Sequence, residues 1–308
     1  MEVWKVTIEE TYKMFIRNRS VYCSSETLRS YDGHLKIFFN YLEAAGGKEI
    51  GELSFDDFGD AALYSDFIIY LRKKEIKNVT IRSYCRIVKA YLRYCYENDL
   101  CRDYLKGVRL PPDDSRPKVV LFADEVKKID ACFDMLTEKG RRNYCIFHLM
   151  LDCGLRSQEV RHLRYKDIDQ ERNIIHILDS KGCKSRITLI PDFLIREIDH
   201  YDRLCCCKTS GTLFRSLRSS EPLTENSIKL LFTKLKKESG IDRLHAHLLR
   251  HTFATSYLIG GGNLEFLRVF MGHSDYNVTR IYSQLAAESK MLGVNVYQLD
   301  PIFFKKGY

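Results

Sequence analysis

The residues best suited to chemistry lie in the last third of the chain, where His247, Arg250, His273 and Tyr282 follow one another. His247 and Arg250 are three positions apart, so on a helix they share a face and can reach one common ligand. A guanidinium offers a rigid fork of donors that fits two oxygens of a phosphate, and it stays charged at neutral pH. An isolated HxxR pattern is more commonly a surface ion pair, so its meaning depends on the residues that accompany it.

A second arginine, Arg156, lies upstream in the sequence GLRSQE, at a predicted break between two helices. Gly154 fits the C-cap of the first helix, and Ser157 fits the N-cap of the second. Arg156 would then occupy a fixed corner. Glu159, three residues later, is a candidate buried support for its guanidinium.

A β-hairpin with a basic tip is predicted between the two arginine sites. β-Branched runs at 173–178 and 186–190 flank a Lys-Gly turn. Lys181 and Lys184 both lie in that tip and compete for any role there. His176, within the first strand, is interpreted as an ordinary sheet residue.

Six of these residues, in this order and spacing, resemble the catalytic set of the tyrosine site-specific recombinases, the lambda-integrase family. The resemblance covers roughly residues 150 to 285, and every position of the set is filled. One HxxR motif would be a weak signal, whereas six ordered positions form a specific one. The set comprises Arg156, Lys181, His247, Arg250, His273 and Tyr282.

The resemblance implies that Tyr282 attacks a scissile phosphodiester, forming a 3′-phosphotyrosyl link and freeing a 5′-hydroxyl. Because a phenol with a pKa of about 10 is a poor nucleophile at neutral pH, a partner must take or share its proton. His247 is the implied general base or proton-sharing partner. Tyr276 is the alternative nucleophile, but it follows His273 closely and lies in an apparent turn.

The same resemblance assigns Arg156 and Arg250 to the non-bridging phosphate oxygens, with His273 donating a further hydrogen bond to the developing charge. Lys181 is the implied general acid for the leaving 5′-oxygen, with Lys184 as the alternative or as a phosphate contact.

Two further histidines, His245 and His251, flank the HxxR motif and are interpreted as structural, each facing a different side of the helix from Arg250. No cofactor is expected, because one phosphoester is exchanged for another and no energy source is required. The sequence contains neither a GxxxxGK[ST] P-loop nor a carboxylate cluster of the two-metal type.

Length and composition indicate two domains and a polyanionic partner. The 308 residues exceed one typical domain, and 49 Lys and Arg residues outnumber 41 acidic ones for a net charge of +8. The 11 cysteines show no metal-type CxxC pairing, so reduced thiols are expected. No signal peptide or membrane-length apolar run is visible, which predicts a cytoplasmic protein with no membrane partner.

A proline-rich stretch at 111–119 is predicted to be a linker between a helical domain at 1–110 and a catalytic domain at 120–308. The first domain shows helical periodicity at about 7–17, 25–45, 57–74 and 79–97. The expected fold is therefore mainly α with a small antiparallel β-sheet. By resemblance it is the two-domain tyrosine recombinase architecture, with a helical SAM-like core-binding domain and a mixed α/β catalytic domain.

One face of the fourth predicted helix carries four cations at helical spacing, Arg82, Arg86, Lys89 and Arg93. Such a row can neutralise successive DNA phosphates, although alone it would more simply be a solvated face. Beside a recombinase-like catalytic domain the DNA-binding interpretation is preferred.

The resemblance implies double-stranded DNA with inverted-repeat core sites as partner, and self-association into a tetrameric synapse, with a directionality factor as a further candidate partner. The integrase of a mobile element is favoured. A Xer-type dimer resolver, a type IB topoisomerase-like enzyme and a non-catalytic DNA-binding regulator are the alternatives. The apolar residues Ile302, Phe303 and Phe304 are expected to dock in a pocket, either in cis or on a neighbouring protomer.

Overall fold

The computed structural model divides the chain into two compact units, Met1–Pro117 and Lys118–Tyr308. In the described part of the chain, no helix combines the length and apolar character that a bilayer crossing requires. The structure describes residues 6–59, 62–112, 119–178, 185–205, 211–217, 219, 221–272, 276–293 and 295–304.

The first unit consists of helices packed around an aromatic core. Thr7 caps the first helix: its hydroxyl accepts from the Glu10 N–H, and the Glu10 carboxylate accepts from the Thr7 N–H. In the core the rings of Phe15 and Tyr91 meet edge to face at 5.4 Å. The helices are α1 (Ile8–Ser20), α2 (Ser25–Gly46), α3 (Leu63–Lys73) and α4 (Asn78–Glu97).

The third predicted helix begins later than its apolar pattern suggests, whereas the second and fourth are confirmed within one residue. A 3₁₀ helix occupies Phe55–Phe58, and α3 starts at Leu63. The Asp57 carboxylate accepts from the Ser54 N–H at 2.7 Å, which fixes a tight turn. Gly59 then adopts a left-handed φ of 52° that ends it. Local capping therefore interrupts a continuous hydrophobic pattern.

The second unit surrounds helix α6, most of whose side chains are buried. Its helices are α5 (Ala123–Asp130), α6 (Glu138–Leu151), α7 (Ser157–His162), α8 (Asp192–Cys205), α9 (Glu225–Ser239), α10 (Ala246–Ile259), α11 (Leu264–Met271) and α12 (Tyr276–Met291).

A small antiparallel sheet lies in the second unit, in agreement with the expected fold class. Its strands are ordered β1 (Ile168–Asp169), β2 (Ile174–Ile177) and β3 (Arg186–Leu189). Strands β2 and β3 are the predicted hairpin, with Ile175 opposite Thr188. Strand β1 was not predicted, because two residues carry no periodicity.

The C-terminal segment of the second unit packs on its own chain. Val296 forms an antiparallel bridge with Phe122. Beyond it, Ile302 and Phe303 are buried, and the ring of Phe303 lies 5.4 Å from that of Phe253. Of the two expected docking modes, this structure therefore contains the one in cis.

Candidate active site

The turn between α6 and α7 presents Arg156. Gly154 adopts a left-handed φ of 66°, and a Cβ there would lie 2.6 Å from the ring of Phe253. The expected caps were each misplaced: the C-cap of α6 is Asp152 rather than Gly154, and the N-cap of α7 is Arg156, with Ser157 as the first helical residue. The Glu159 carboxylate accepts from the Arg156 N–H at 2.6 Å, which explains the shift.

The Glu159 carboxylate lies between two arginines. It accepts from the Arg156 guanidinium at 2.9 Å and from that of Arg186 at 2.6 Å. Burial alone would raise the pKa of Glu159, but Arg186 and Arg156 lower it below its ordinary value. Glu159 therefore stays ionised and fixes both side chains.

Arg156 and Arg250 converge on the C-terminal end of α11. Arg156 donates to the carbonyl oxygens of Met271 at 3.0 Å and Gly272 at 3.3 Å. Arg250 donates to the same Met271 carbonyl and to that of Gly154. The carbonyls at a helix C-terminus carry partial negative charge, so they attract and orient guanidinium groups. Two predicted phosphate ligands are thus brought together.

Arg186 joins this cluster although sequence reasoning treated it only as a strand residue. Besides its pair with Glu159, it donates to the Phe270 carbonyl at the same helix end. Gly272 follows with a left-handed φ of 57°, and a Cβ there would lie 2.6 Å from Cδ of Arg186. The basic side chain, the helix end and the glycine therefore form one packed unit.

Positive charge exceeds negative charge among these four side chains, since Arg156, Arg186 and Arg250 surround the carboxylate of Glu159. Arg250 is only 4% exposed. Burial, reinforced by the charges of Arg156 and Arg186, lowers the pKa of the Arg250 guanidinium. Such a site favours an anion, and a phosphate has the oxygens that two guanidinium groups require.

Tyr282 lies on α12 within the electrostatic reach of this cluster. Its side chain is 3% exposed. Burial raises the pKa of Tyr282, while Arg250 and Arg156 act to lower it. Its hydroxyl oxygen is 2.8 Å from Nδ1 of His251. The phenol is therefore held by His251, and it packs in the same apolar cluster as Met271, whose carbonyl both arginines contact.

The contact with His251 was missed from the sequence, where this histidine was assigned to another side of the helix. His247 and His251 are four residues apart on α10, so these two histidines share a face of the helix. That spacing was the available signal. His247 itself is exposed at the N-terminal end of α10.

Three predicted site residues, Lys181, Lys184 and His273, lie outside the described residues. Tyr276 is the first residue of α12, so its expected place in a turn was wrong. His176 is exposed on β2 and lines a cleft of about 570 Å³ that also borders Arg156.

The four predicted DNA contacts on α4 differ in their surroundings. Arg86, Lys89 and Arg93 are exposed. Arg82 is half-buried and donates to the Pro111 carbonyl at 2.7 Å. Three cations of the row therefore face solvent, whereas the fourth also contacts the proline-rich stretch.

An arginine cluster beside a buried tyrosine, in a helical unit with a small antiparallel sheet, defines the tyrosine recombinase class. Residues 120–289 match the Phage integrase family, and residues 7–106 match the Phage integrase SAM-like domain. The first match alone covers more than half of the chain. The chain belongs to the phage integrase family of tyrosine recombinases, which are DNA strand-transfer enzymes.

Two relatives illustrate the similarity in sequence. The chain is 29% identical over 280 residues to tyrosine recombinase XerC of Bacillus pumilus, covering 86% of this chain and 88% of the relative. It is 32% identical over 224 residues to tyrosine recombinase XerA of Saccharolobus solfataricus, covering 71% and 67%.

Two solved structures share the fold. The Tn1549 transposon integrase in complex with a circular intermediate DNA has a TM-score of 0.71 at 20% identity, covering 93% of this chain and 99% of that one. The XerH site-specific recombinase bound to palindromic difH substrate has a TM-score of 0.70 at 19% identity, covering 93% and 84%.

Proposed function

We propose that this protein catalyses site-specific DNA recombination through a 3′-phosphotyrosyl intermediate, with Tyr282 as the nucleophile. One observation carries the proposal: the buried Tyr282 packs in the same apolar cluster as Met271, whose carbonyl accepts hydrogen bonds from the guanidinium groups of both Arg156 and Arg250. A phosphodiester bound by these arginines would present its phosphorus to the phenol.

The arginines would act mainly in the transition state. As the Tyr282 oxygen bonds to phosphorus, negative charge grows on the two non-bridging oxygens, and donors already in place stabilise it. Their orientation is set beforehand by Glu159 and by the α11 carbonyls, so little reorganisation accompanies the reaction. Removal of one such donor typically costs about 10²- to 10³-fold in rate.

The remaining roles follow the family pattern. In that pattern His247 is the general base or proton-sharing partner of Tyr282, and His273 would donate a further hydrogen bond at the scissile phosphate. Lys181 would protonate the departing 5′-oxygen, with Lys184 as a phosphate contact or the alternative acid. Rejoining reverses these steps with another 5′-hydroxyl, so the phosphoester energy is conserved.

DNA with inverted-repeat core sites is the proposed substrate. Arg86, Lys89 and Arg93 on α4, joined by Arg82, would contact phosphates and set the register of the first unit. Four protomers would form the synapse, since two duplexes each carry two cleavage sites. The segment at 295–304 would then dock on a neighbouring protomer during assembly.

The biological role we propose is integration and excision of a mobile element. The sequence after Tyr282, Ser283-Gln284-Leu285, and the apolar end of the chain support this choice. Xer-type dimer resolution is the second candidate, favoured by the XerC and XerA relatives that align with most of this chain. Recovered target sites would separate the two candidates, because a chromosomal dimer resolver acts at a chromosomal site, whereas the integrase of a mobile element acts at the ends of that element.

Covalent trapping tests the proposal even though the target sequence is unidentified. The protein is incubated with sheared DNA from its own source in chelator, adducts are isolated under denaturing conditions, and the attached ends are sequenced. We expect adducts at a few inverted repeats in the wild type and in the Tyr276→Phe control. Tyr282→Phe should bind DNA without forming adducts.

Other outcomes of the trapping experiment would indicate other functions. Adducts scattered over all sequences would indicate a topoisomerase-like activity, and no adducts would favour a regulator. Adducts formed by Tyr282→Phe would show that another residue is the nucleophile.

A separate variant tests the general acid. Lys181→Ala should cleave slowly and should regain rate on DNA with a 5′-bridging sulfur, a leaving group that needs no proton.

A further inference from the structure

The proton of the Tyr282 hydroxyl needs an acceptor, and the groups around it are not equally suited to that task. Arg250 and Arg156 are donors only and stay charged at neutral pH. His251 lies with Nδ1 2.8 Å from the hydroxyl oxygen, and the two rings are 5.5 Å apart between centroids. A neutral imidazole with its proton on Nε2 presents a lone pair at Nδ1.

We infer that His251, rather than His247, is the general base that removes the Tyr282 proton during DNA cleavage. The inference rests on the proposed function and deepens it by assigning a catalytic residue. Geometry is the first requirement for a general base, and 2.8 Å falls within the range for direct proton transfer. An imidazole also has an ordinary pKa near neutrality, which suits it to accept and return a proton.

The step balances without a further reactant. The Tyr282 hydroxyl proton moves to Nδ1 of His251, the phenolic oxygen bonds to phosphorus, and the bond from phosphorus to the 5′-oxygen breaks. The departing oxygen takes its proton from the general acid. In rejoining, the incoming 5′-hydroxyl gives its proton to the deprotonated general acid and displaces the tyrosine oxygen, and the His251 imidazolium returns the proton to that oxygen.

His247 and His251, both on helix α10, have different roles in this scheme. His247 is exposed one turn before His251 on the same face of the helix, and Arg250 lies between them in the sequence. His247 is thereby placed for the phosphate that Arg250 binds, while His251 is half-buried against the nucleophile. The sequence HxxRH thus places a phosphate donor (His247), a guanidinium (Arg250) and a base (His251) within about one turn of helix.

The test uses the full chain and a nicked duplex carrying a core site recovered by covalent trapping, so that cleavage cannot reverse. The single-turnover rate of adduct formation is measured from pH 5.5 to 9 for the wild type, His251→Ala and His251→Gln. His245→Ala is the matched control, because His245 is exposed and its Nδ1 lies 2.6 Å from the backbone carbonyl oxygen of Arg243.

We expect His251→Ala to slow adduct formation about 10²- to 10⁴-fold and to lose the acid limb of the pH profile. Added imidazole should restore part of the rate. His251→Gln should be equally slow, because an amide can hold the hydroxyl by a hydrogen bond but cannot take its proton. The His245→Ala control should retain the wild-type rate and profile.

Near-wild-type cleavage by His251→Gln would overturn the inference and leave His251 as a positioning residue. A slow His251→Ala variant with an unchanged pH profile and no response to imidazole would do the same. DNA binding and thermal melting of each variant separate misfolding from lost chemistry. Failure of the wild type to form adducts would instead refute the proposed function, and this inference with it.

Discussion

Removal of the Glu159 charge should destabilise the protein, because the buried guanidinium of Arg186 would lose its carboxylate partner. The side chains of Glu159 and Arg186 are 14% and 6% exposed, and their closest approach is 2.6 Å. Breaking such a pair on one side costs about 3–5 kcal/mol, because the remaining charge loses its partner. The pair with Arg156 adds little to this figure, since that side chain is 40% exposed.

Glu159→Gln is the appropriate perturbation because the amide keeps the shape of the carboxylate. For a unit of this size, a loss of 3–5 kcal/mol corresponds to a fall in Tm of roughly 6–20 °C. Cleavage should also slow, by at most the roughly 10²- to 10³-fold typical of losing one phosphate donor, because Arg156 loses its carboxylate partner and keeps only its contacts to the α11 carbonyls. Calorimetry and single-turnover cleavage measure the two effects.

The double variant Glu159→Gln/Arg186→Met tests whether the lost stability comes from the uncompensated charge of Arg186. With both charges removed, it should be more stable than Glu159→Gln alone. Lys234→Met, which removes an exposed partner of Glu238, is the control and should leave the Tm close to wild type. A wild-type Tm for Glu159→Gln, or additive losses in the double variant, would contradict the assigned role of the buried pair.

Three further predictions concern other parts of the molecule. Gly272→Ala should lower stability by about 1–3 kcal/mol through its left-handed backbone and should slow cleavage, measured by melting and adduct formation. Burial alone would lower the pKa of His148, but Asp130 and Asp152 raise it to about 9. The contribution of His148 to the free energy of unfolding, about 3 kcal/mol, should therefore be complete below about pH 6.5 and lost as the pH rises through 9. Denaturant titrations at several pH values measure this loss, which should be smaller in Asp130→Asn. Arg86→Gln should reduce the slope of log K against log salt for DNA binding by about 0.9, whereas Lys13→Gln on α1 should not change it.

The local sequence determined much of the architecture. Apolar periodicity located α2 and α4, and β-branched runs located β2 and β3. Periodicity failed where short capping contacts prevail, as at Ser54 and Asp57 before α3 and at Arg156 before α7. These contacts involve single hydrogen bonds that a pattern of apolar residues does not record.

In the site, motif spacing identified Arg156, Arg250 and Tyr282 as candidates, and the fold brings them together. Arg186 and His251 were not identified, because their significance depends on contacts distant in sequence. Arg186 donates to a carbonyl 84 residues away, and His251 meets a hydroxyl 31 residues away. Such partners are set by packing of helices and strands, which composition and periodicity do not specify.

The backbone pairing of the second unit has a consequence for its synthesis. The Tyr297 N–H donates to the Leu121 carbonyl, and the Tyr297 hydroxyl donates to Asp152, a residue 145 positions earlier. At a translation rate of roughly 5–20 residues per second, the 145 residues between Asp152 and its partner take about 7–29 s to synthesise. Because α12 lies between them in the chain, the helix that carries Tyr282 is synthesised before the contacts of Tyr297 can form. In a nascent chain, Arg156 and Arg250 are therefore present before the contacts that fix the helix of Tyr282 have formed.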